Sequence, residues 1–326
     1  MAKMTMIQAI NQALGLAMER DEKVMVLGED VGKNGGVFRA TEGLIDRFGE
    51  ARVVDTPLAE SAIVGSSVGL AIGGMRPVAE IQFLGFIFEA MDQIGTQASR
   101  IRFRSQSRYH VPLVIRAPFG GGVKTPEIHS DSLEAIFAQT PGVKVVIPST
   151  PYQAKGLLLA AIQDPDPVLF LEPMRLYRSV REEVPEDWYE IPLGQARLVR
   201  AGTDVTVVAW GAMVPVAEAA AEQASKEDGL SVEVIDVATV SPLDAAAIVQ
   251  SVEKTGRAVV VHEAVRSGGF GAEVAATIQE RAFLSLEAPV ERVTGYDTPF
   301  PVPSIEDDWL PDASRVLSAL RHAAAY

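Results

Sequence analysis

The chain has 326 residues, of which 48% are hydrophobic, enough to fill the cores of two domains. Its 43 acidic and 29 basic residues give a net charge of −14, which argues against a nucleic acid or an anionic membrane surface as the main partner, because both need a basic footprint. The absence of cysteine excludes disulfides, thiolate metal sites and cysteine nucleophiles, and agrees with a location in the reducing cytoplasm.

Short apolar runs rich in β-branched residues alternate with amphipathic stretches along the whole chain. In the first half they predict strands at residues 24–28, 77–81, 113–116, 143–147 and 168–171. In the second half they predict strands at residues 205–210, 232–237, 258–262 and 290–293. This alternation predicts an α/β protein with two parallel-sheet domains and helices on both faces of each sheet.

Several helix ends carry local signals. Thr5 and Gln8 have the spacing of a capping box. Thr150–Pro151 and Ser241–Pro242 each place a capping residue before a first-turn proline, which predicts that a helix begins at each pair. Gly229 follows an alanine-rich amphipathic stretch and is predicted to end that helix.

The alternation breaks between residues 178 and 200, an acidic stretch with two prolines and no clear periodicity. We therefore predict a first domain at residues 1–180, a connection at 181–197 and a second domain at 198–326. The longest uncharged stretch, residues 61–75, is too short to span a bilayer and is rich in glycine and serine. No membrane partner is expected.

Ligands of open parallel sheets bind at the carboxyl ends of the strands, so the loops there are candidate sites. Glu60 stands at the start of an apolar helix, where it could be catalytic or simply a carboxylate stabilised by a helix N-terminus. Aromatic residues within 80–86 follow a predicted strand and could stack on a flat heterocycle or pack in the core.

Two glycine-rich segments lie in further loops. Three glycines at 120–122 allow close approach of the backbone to a ligand or a partner chain, and His129 follows them. A histidine there could transfer protons near neutral pH or be an ordinary hydrogen-bonded surface residue. The segment Gly268–Gly271 is not a complete phosphate-binding motif, and we expect it to serve close backbone packing at an interface.

Taken together, the segments match one family in order and over essentially the whole chain. They are GEDVG (28–32), GGVF (35–38), DTPLAES (55–61), EIQFLGF (80–86), RAPFGGGV (116–123), HSDS (129–132), PSTP (148–151) and DVATVSP (236–242). The chain resembles the β subunit of the thiamine-dependent decarboxylase component of 2-oxo acid dehydrogenase complexes. The resemblance implies a transketolase-like fold, with a pyrimidine-binding domain followed by a domain like the C-terminal domain of transketolases.

The resemblance also assigns roles to residues of the first domain. Glu60 matches the glutamate that binds the pyrimidine nitrogen of thiamine diphosphate and stabilises the imino tautomer that takes the thiazolium proton. Phe86 matches the aromatic residue that stacks on the pyrimidine, and Leu58 and Gln82 match residues lining the same pocket. His129 matches a histidine at the mouth of the active site, implicated in substrate binding or in acylation of the lipoyl group.

Metal ions are implied as well. In the family, potassium is held near the positions of Ala161, Asp164 and Asp166, although residues 164–167 alone indicate only a turn. Thiamine enzymes anchor the diphosphate through magnesium by a Gly-Asp-Gly run with downstream asparagines, and this chain has neither Gly-Asp-Gly nor an asparagine after Asn34. An α subunit is therefore expected to supply the magnesium ligands, in a heterotetramer of two α and two β chains.

The implied reaction is oxidative decarboxylation of a 2-oxo acid with transfer of the acyl group to lipoyl-lysine. Segment 126–132 is closer to pyruvate-type β chains than to branched-chain ones, so pyruvate is the first choice. A branched-chain or acetoin enzyme and a transketolase-type ketol transferase are the alternatives. The family's β chain docks on the lipoyl acyltransferase core through acidic residues and its C-terminus, whose positions Glu287 and Tyr326 match.

Overall fold

Two sheets made mainly of parallel strands form the frame of the molecule. The computed structural model describes residues 1–326. The strands of the first half are β1 (Ala2–Thr5), β2 (Val24–Gly28), β3 (Val53–Asp55), β4 (Arg76–Glu80), β5 (Val114–Phe119), β6 (Lys144–Val146), β7 (Val168–Pro173) and β8 (Arg181–Val184). Those of the second half are β9 (Arg197–Arg200), β10 (Val205–Ala209), β11 (Val232–Asp236), β12 (Thr239–Ser241), β13 (Ala258–Val265) and β14 (Glu291–Gly295).

Helices connect these strands and cover the sheets. In the first half they are α1 (Met6–Arg20), α2 (Leu44–Phe48), α3 (Glu60–Ile72), α4 (Ile101–Arg104), α5 (Glu134–Ala138) and α6 (Pro151–Gln163). In the second half they are α7 (Met213–Asp228), α8 (Ala245–Thr255), α9 (Gly271–Ala282), α10 (Glu306–Trp309) and α11 (Ala313–Ala324). Leu84–Ala90 and Glu127–His129 are 3₁₀ segments, and Gln93–Ala98 is a π-helical turn. No helix has the length and apolar character that crossing a membrane requires.

The strand order confirms the predicted α/β architecture. The first sheet runs β12-β6-β7-β5-β4-β2-β3 and is parallel except for β12. The second runs β14-β13-β10-β11-β9 and is parallel except for β9. The strands β1 and β8 form a separate antiparallel pair, so the segment after residue 180 begins with a paired strand.

All nine predicted strands are present, but β1, β3, β8, β9 and β12 were not predicted. Each of these has three or four residues and lies at a sheet edge or in the two-stranded pair. Such strands are not covered by neighbours on both sides, so they need no long apolar run that sequence patterns could reveal.

The helix signals were confirmed in three of the four cases. The Thr5 capping box is formed, Thr150 accepts a hydrogen bond from the Gln153 amide, and Gly229 ends α7 in the left-handed conformation. The prediction at Ser241–Pro242 was wrong, because Ser241 ends β12 and Asp244 caps α8 instead.

The two halves of the chain interlock. Strand β12 comes from the second half in sequence, yet it pairs with β6 and so extends the sheet of the first half. The two large hydrophobic clusters each contain side chains from both halves. Loops at the carboxyl edge of the first sheet can therefore be held by residues of the second domain.

Candidate active site

The carboxyl ends of β2, β3, β4 and β5 lie side by side at one edge of the first sheet. The loops that follow these strands carry Glu29, Leu58, Phe86 and His129 respectively, and the third of these loops packs against α3. Because the carboxyl edge of a parallel sheet is where ligands bind, these loops form the candidate site.

Glu60 is the first residue of α3 and is only 8% exposed. Its carboxylate oxygens keep some contact with solvent and form no hydrogen bond or ion pair within the chain. Glu29 lies near it: burial, followed by the charges of Asp30 and Glu60, raises the pKa of Glu29. A largely buried carboxylate without a partner is costly unless a bound group completes its hydrogen bonds.

Phe86 and His129 meet at the site. Their ring centroids lie 5.0 Å apart, and His129 also lies 4.5 Å from the ring of Phe83, both at steep angles. The Nδ1 atom of His129 is buried and has no hydrogen-bond partner. The structure thus brings together an aromatic ring and a histidine nitrogen that is free to form a hydrogen bond.

The loop of His129 rests directly on the segment of Phe86. A Cβ atom built on Gly85 would lie 1.8 Å from the carbonyl oxygen of Ile128, so only glycine permits this contact. Leu58 is 71% exposed and Gln82 is half-buried. An exposed leucine beside a buried carboxylate fits a surface that a ligand or a second chain covers.

A buried ionic network below the site was not anticipated. The guanidinium of Arg116 lies 2.7 Å from a carboxylate oxygen of Glu80 and 2.6 Å from one of Glu172, and Tyr177 donates to Glu172 over 2.6 Å. Burial raises the pKa of Glu80 despite the opposing charge of Arg116. The signal available in the sequence was a charged residue inside each of three apolar strands, where an unpaired charge is not tolerated.

The three glycines at 120–122 approach the second domain of the same chain. A Cβ atom on Gly120 would lie 2.4 Å from a carboxylate oxygen of Glu263, and one on Gly121 would lie 2.7 Å from the ring of Phe300. The close approach that the sequence indicated is therefore made to the second domain of the same chain.

The glycines at 268–271 also pack within their own chain. Cβ atoms built on Gly269 and Gly271 would lie 2.7 and 2.4 Å from ring atoms of His262. That ring stacks on Trp210 with centroids 5.2 Å apart, and burial lowers the pKa of His262 to about 4. The segment encloses a neutral histidine.

The acidic residues of the expected potassium site have cationic partners. Lys144 contacts Asp164 over 2.6 Å, and Arg102 contacts Asp166 over 2.5 Å. The Ala161 carbonyl accepts a hydrogen bond from the Asp164 amide. No cluster of three or more histidine or acidic side chains suits a metal ion. Potassium here stays a prediction, and it would depend on carbonyl oxygens rather than carboxylates.

The expected docking residues lie at the surface of the second domain. Glu287 forms an ion pair of 2.7 Å with Arg257 and keeps 59% of its side chain exposed. Tyr326 is 61% exposed and packs against His322, with ring centroids 5.6 Å apart. Both are accessible to a partner.

Comparison with known proteins defines the class first. The family model "Transketolase, pyrimidine binding domain" matches residues 2–180, and "Transketolase, C-terminal domain" matches residues 194–316. A solved structure described as a split gene transketolase, inactive beta4 tetramer, superimposes with a TM-score of 0.81 over 99% of both chains, at 23% identity. The fold is therefore that of transketolases.

Closer relatives define the family. The pyruvate dehydrogenase E1 component subunit beta of Bacillus subtilis is 59% identical over 98% of each chain. The proteins of the same name from Staphylococcus epidermidis and Staphylococcus aureus are 58% identical over 97% of each chain and 56% identical over the full length of both. The chain belongs to this family of E1 β subunits.

Proposed function

We propose that the chain is the β subunit of a thiamine-diphosphate-dependent pyruvate dehydrogenase. Together with an α subunit it decarboxylates pyruvate and transfers the acetyl group to a lipoyl-lysine of the acyltransferase core. The observation that carries this proposal is the 59% identity, over 98% of both chains, with a relative bearing that name.

The residues of the site fit the pyrimidine ring of thiamine diphosphate. The partnerless carboxylate of Glu60 is suited to a charge-assisted hydrogen bond with a ring nitrogen, and Phe86 offers an aromatic surface to the ring. Aspartate would fall short by about one methylene group, and glutamine would lose the charge. When bound, the cofactor supplies the nucleophilic carbon and the electron sink for decarboxylation.

Glu60 holds the proton at the pyrimidine nitrogen, in a setting where burial strengthens the hydrogen bond. We assign the half-buried Gln82 and the exposed Leu58 to the same pocket, where both can contact the ring. His129, with its free Nδ1, hydrogen-bonds the substrate or the lipoyl acceptor at the mouth of the site.

The other half of the site belongs to the α subunit. This chain has no Gly-Asp-Gly run and no asparagine beyond Asn34, so the magnesium ion and the diphosphate are held by the α chain. Two α and two β chains then form the active enzyme. On the second domain, Glu287 and the end of the chain at Tyr326 receive a basic domain of the acyltransferase core.

The substrate is tested with the reconstituted enzyme of α and β chains. We expect efficient turnover of pyruvate and slow turnover of 3-methyl-2-oxobutanoate and acetoin, measured with the lipoyl domain as acceptor. A preference for 3-methyl-2-oxobutanoate or for acetoin would reassign the chain within the same class. Ketol transfer without any 2-oxo acid turnover would place it with the transketolases in activity as well as in fold.

A further inference from the structure

The loop that carries His129 is held from two sides. We define the histidine loop as residues 120–130, which follow β5 and include the 3₁₀ turn of His129. On the side of the first domain, Ile128 lies against Gly85. Within the loop, the hydroxyls of Thr125 and Ser130 are 2.8 Å apart. The other side of the loop faces the second domain.

Two carboxylates of the second domain bind the backbone of this loop. Glu263, on β13, accepts a hydrogen bond from the Gly121 amide over 3.0 Å. Glu306, the first residue of α10, accepts from the amides of Gly122 and Lys124. Glu263 is 6% exposed and Glu306 is 0% exposed. Backbone amides bound to buried carboxylates form strong, charge-assisted hydrogen bonds.

The glycines of the loop are matched to this contact. Gly120 and Gly122 have φ angles of +80° and +96°, which side chains rarely tolerate. A Cβ atom on Gly121 would collide with Phe300 and lie 3.0 Å from Leu310. These two residues form a small apolar cluster with Trp309, next to Glu306. The loop is therefore shaped to bring its amides up to the second domain.

The carboxylates are held there at an electrostatic cost. One oxygen of Glu263 and one of Glu306 are buried without a partner, as is one oxygen of Glu134 in the first domain. Burial is the main factor that raises the pKa of Glu263 to about 7, with contributions from the charges of Glu134 and Glu306 and opposition from Arg175 and the Gly121 amide. Apolar side chains would fill the same space at lower cost, so packing alone does not account for three acids.

We propose that Glu306 and Glu263 are positioning residues, through which the second domain fixes the histidine loop and hence the place of His129 in the active site. The proposal rests on the function proposed above for His129. Because Glu306 binds two amides of the loop and has no other hydrogen-bonding partner, it is the better residue to test.

The test uses the assembled enzyme of α and β chains and compares Glu306→Ala with Glu306→Gln. Hydrogen–deuterium exchange of peptides spanning residues 120–130 reports on the loop, and transfer to the lipoyl domain reports on the site. Glu306→Ala is expected to speed exchange in the loop and to lower transfer roughly 10-fold or more, because small displacements of catalytic groups are costly. Glu306→Gln keeps an acceptor oxygen, so its loop exchange and its transfer to the lipoyl domain are expected to be close to those of the wild type.

Asp307→Ala is the matched control. Asp307 contacts the same loop through the side chain of Lys124 over 3.0 Å, but that ion pair is exposed. Exposed ion pairs contribute little, so exchange and transfer are expected to stay at the wild-type level. If Glu306→Ala does not assemble, Glu306→Asp is tested instead. It retains the charge but withdraws the carboxylate from the amides, so it is also expected to speed exchange in the loop.

A double variant separates positioning from general damage. In the His129→Ala background, Glu306→Ala is expected to cause no further loss of transfer, because both changes remove the same contribution. An unchanged exchange rate in Glu306→Ala and Glu306→Asp, or a full additional loss in the double variant, would overturn the proposal. If His129→Ala transferred the acyl group at the wild-type rate, the proposed role of His129 would be refuted. Faster exchange of the loop in Glu306→Ala would still show that Glu306 attaches the loop to the second domain.

Discussion

Two side chains with unfulfilled hydrogen-bonding capacity lie at the sheet edge that we propose as the active site. Glu60 is a largely buried residue whose carboxylate has no partner within the chain, and His129 has a buried ring nitrogen without one. Elsewhere in the same domain, the buried Arg116 is matched by two carboxylates. Arg116 is therefore a structural charge, whereas we propose that Glu60 and His129 await a ligand.

Replacing Glu60 by glutamine tests the most specific of these assignments. We expect Glu60→Gln to lower kcat by roughly 100-fold or more, because a neutral amide cannot support the charge-assisted hydrogen bond. Turnover is measured with pyruvate, and size-exclusion chromatography checks assembly. Glu50→Gln changes an exposed glutamate and is expected to be silent. Full activity of an assembled Glu60→Gln enzyme would show that Glu60 does not have the proposed role.

Glu263 makes stability depend on pH. Its pKa in the folded chain is raised from 4.5 to about 7, chiefly by burial, so its contribution to stability is complete below pH 4.5 and is lost as the pH rises through 7. Glu263→Gln removes this titration. The difference in the free energy of unfolding, variant minus wild type, should increase by about 3 kcal/mol as the pH rises from 4.5 to 8. Urea unfolding at several pH values measures the difference, and a pH-independent difference would contradict the expectation.

At the scale of secondary structure, local signals succeeded and long-range ones were missed. The capping box of Thr5 involves residues three apart, so its sequence pattern is nearly sufficient. Ser241–Pro242 has an equally good capping pattern, yet β12 forms there because its partner strand β6 lies about a hundred residues earlier in the chain. A pattern read over a few residues cannot include such a partner.

The N-terminal cap of α1 offers a test at this scale. The side chain of Thr5 accepts a hydrogen bond from the Gln8 amide, and the Gln8 side chain accepts from the Thr5 amide. Thr5→Ala removes half of this box and is expected to destabilise the protein by about 1 kcal/mol. Lys3→Ala, at an exposed position of β1, is the comparison. Equal shifts of the thermal midpoint in both variants would show that the cap contributes nothing.

For the whole molecule, the central feature of the proposed function is an active site that one chain does not complete. The first domain carries Glu60 and the aromatic residues at the edge of its sheet. The second domain binds the backbone of the histidine loop through hydrogen bonds to two of its carboxylates. The chain carries no motif for the diphosphate. Its net charge of −14 also leaves it suited to basic partners, such as the docking domain we propose for Glu287.

The isolated chain should therefore bind thiamine diphosphate and magnesium weakly. We expect calorimetry to detect no tight binding to the β chain alone and clear binding once the α chain is added, because the diphosphate and metal contacts are then complete. The matched control is the α chain alone, which should bind the magnesium diphosphate end without supporting turnover. Tight binding by the β chain alone would contradict the proposed division of the site.

The sequence by itself determined the α/β class, the nine main strands, three of the helix ends and, through motifs in order, the family. It also indicated Glu60, Phe86 and His129 as site residues, because their segments match motifs of that family, although the strand β3 before Glu60 was not predicted. Only the tertiary structure decided that β12 joins the first sheet, that Arg116 is paired on both sides, and that Glu263 and Glu306 hold the histidine loop. Each of these depends on contacts between residues far apart in the chain, and their geometry is fixed only when the whole molecule packs.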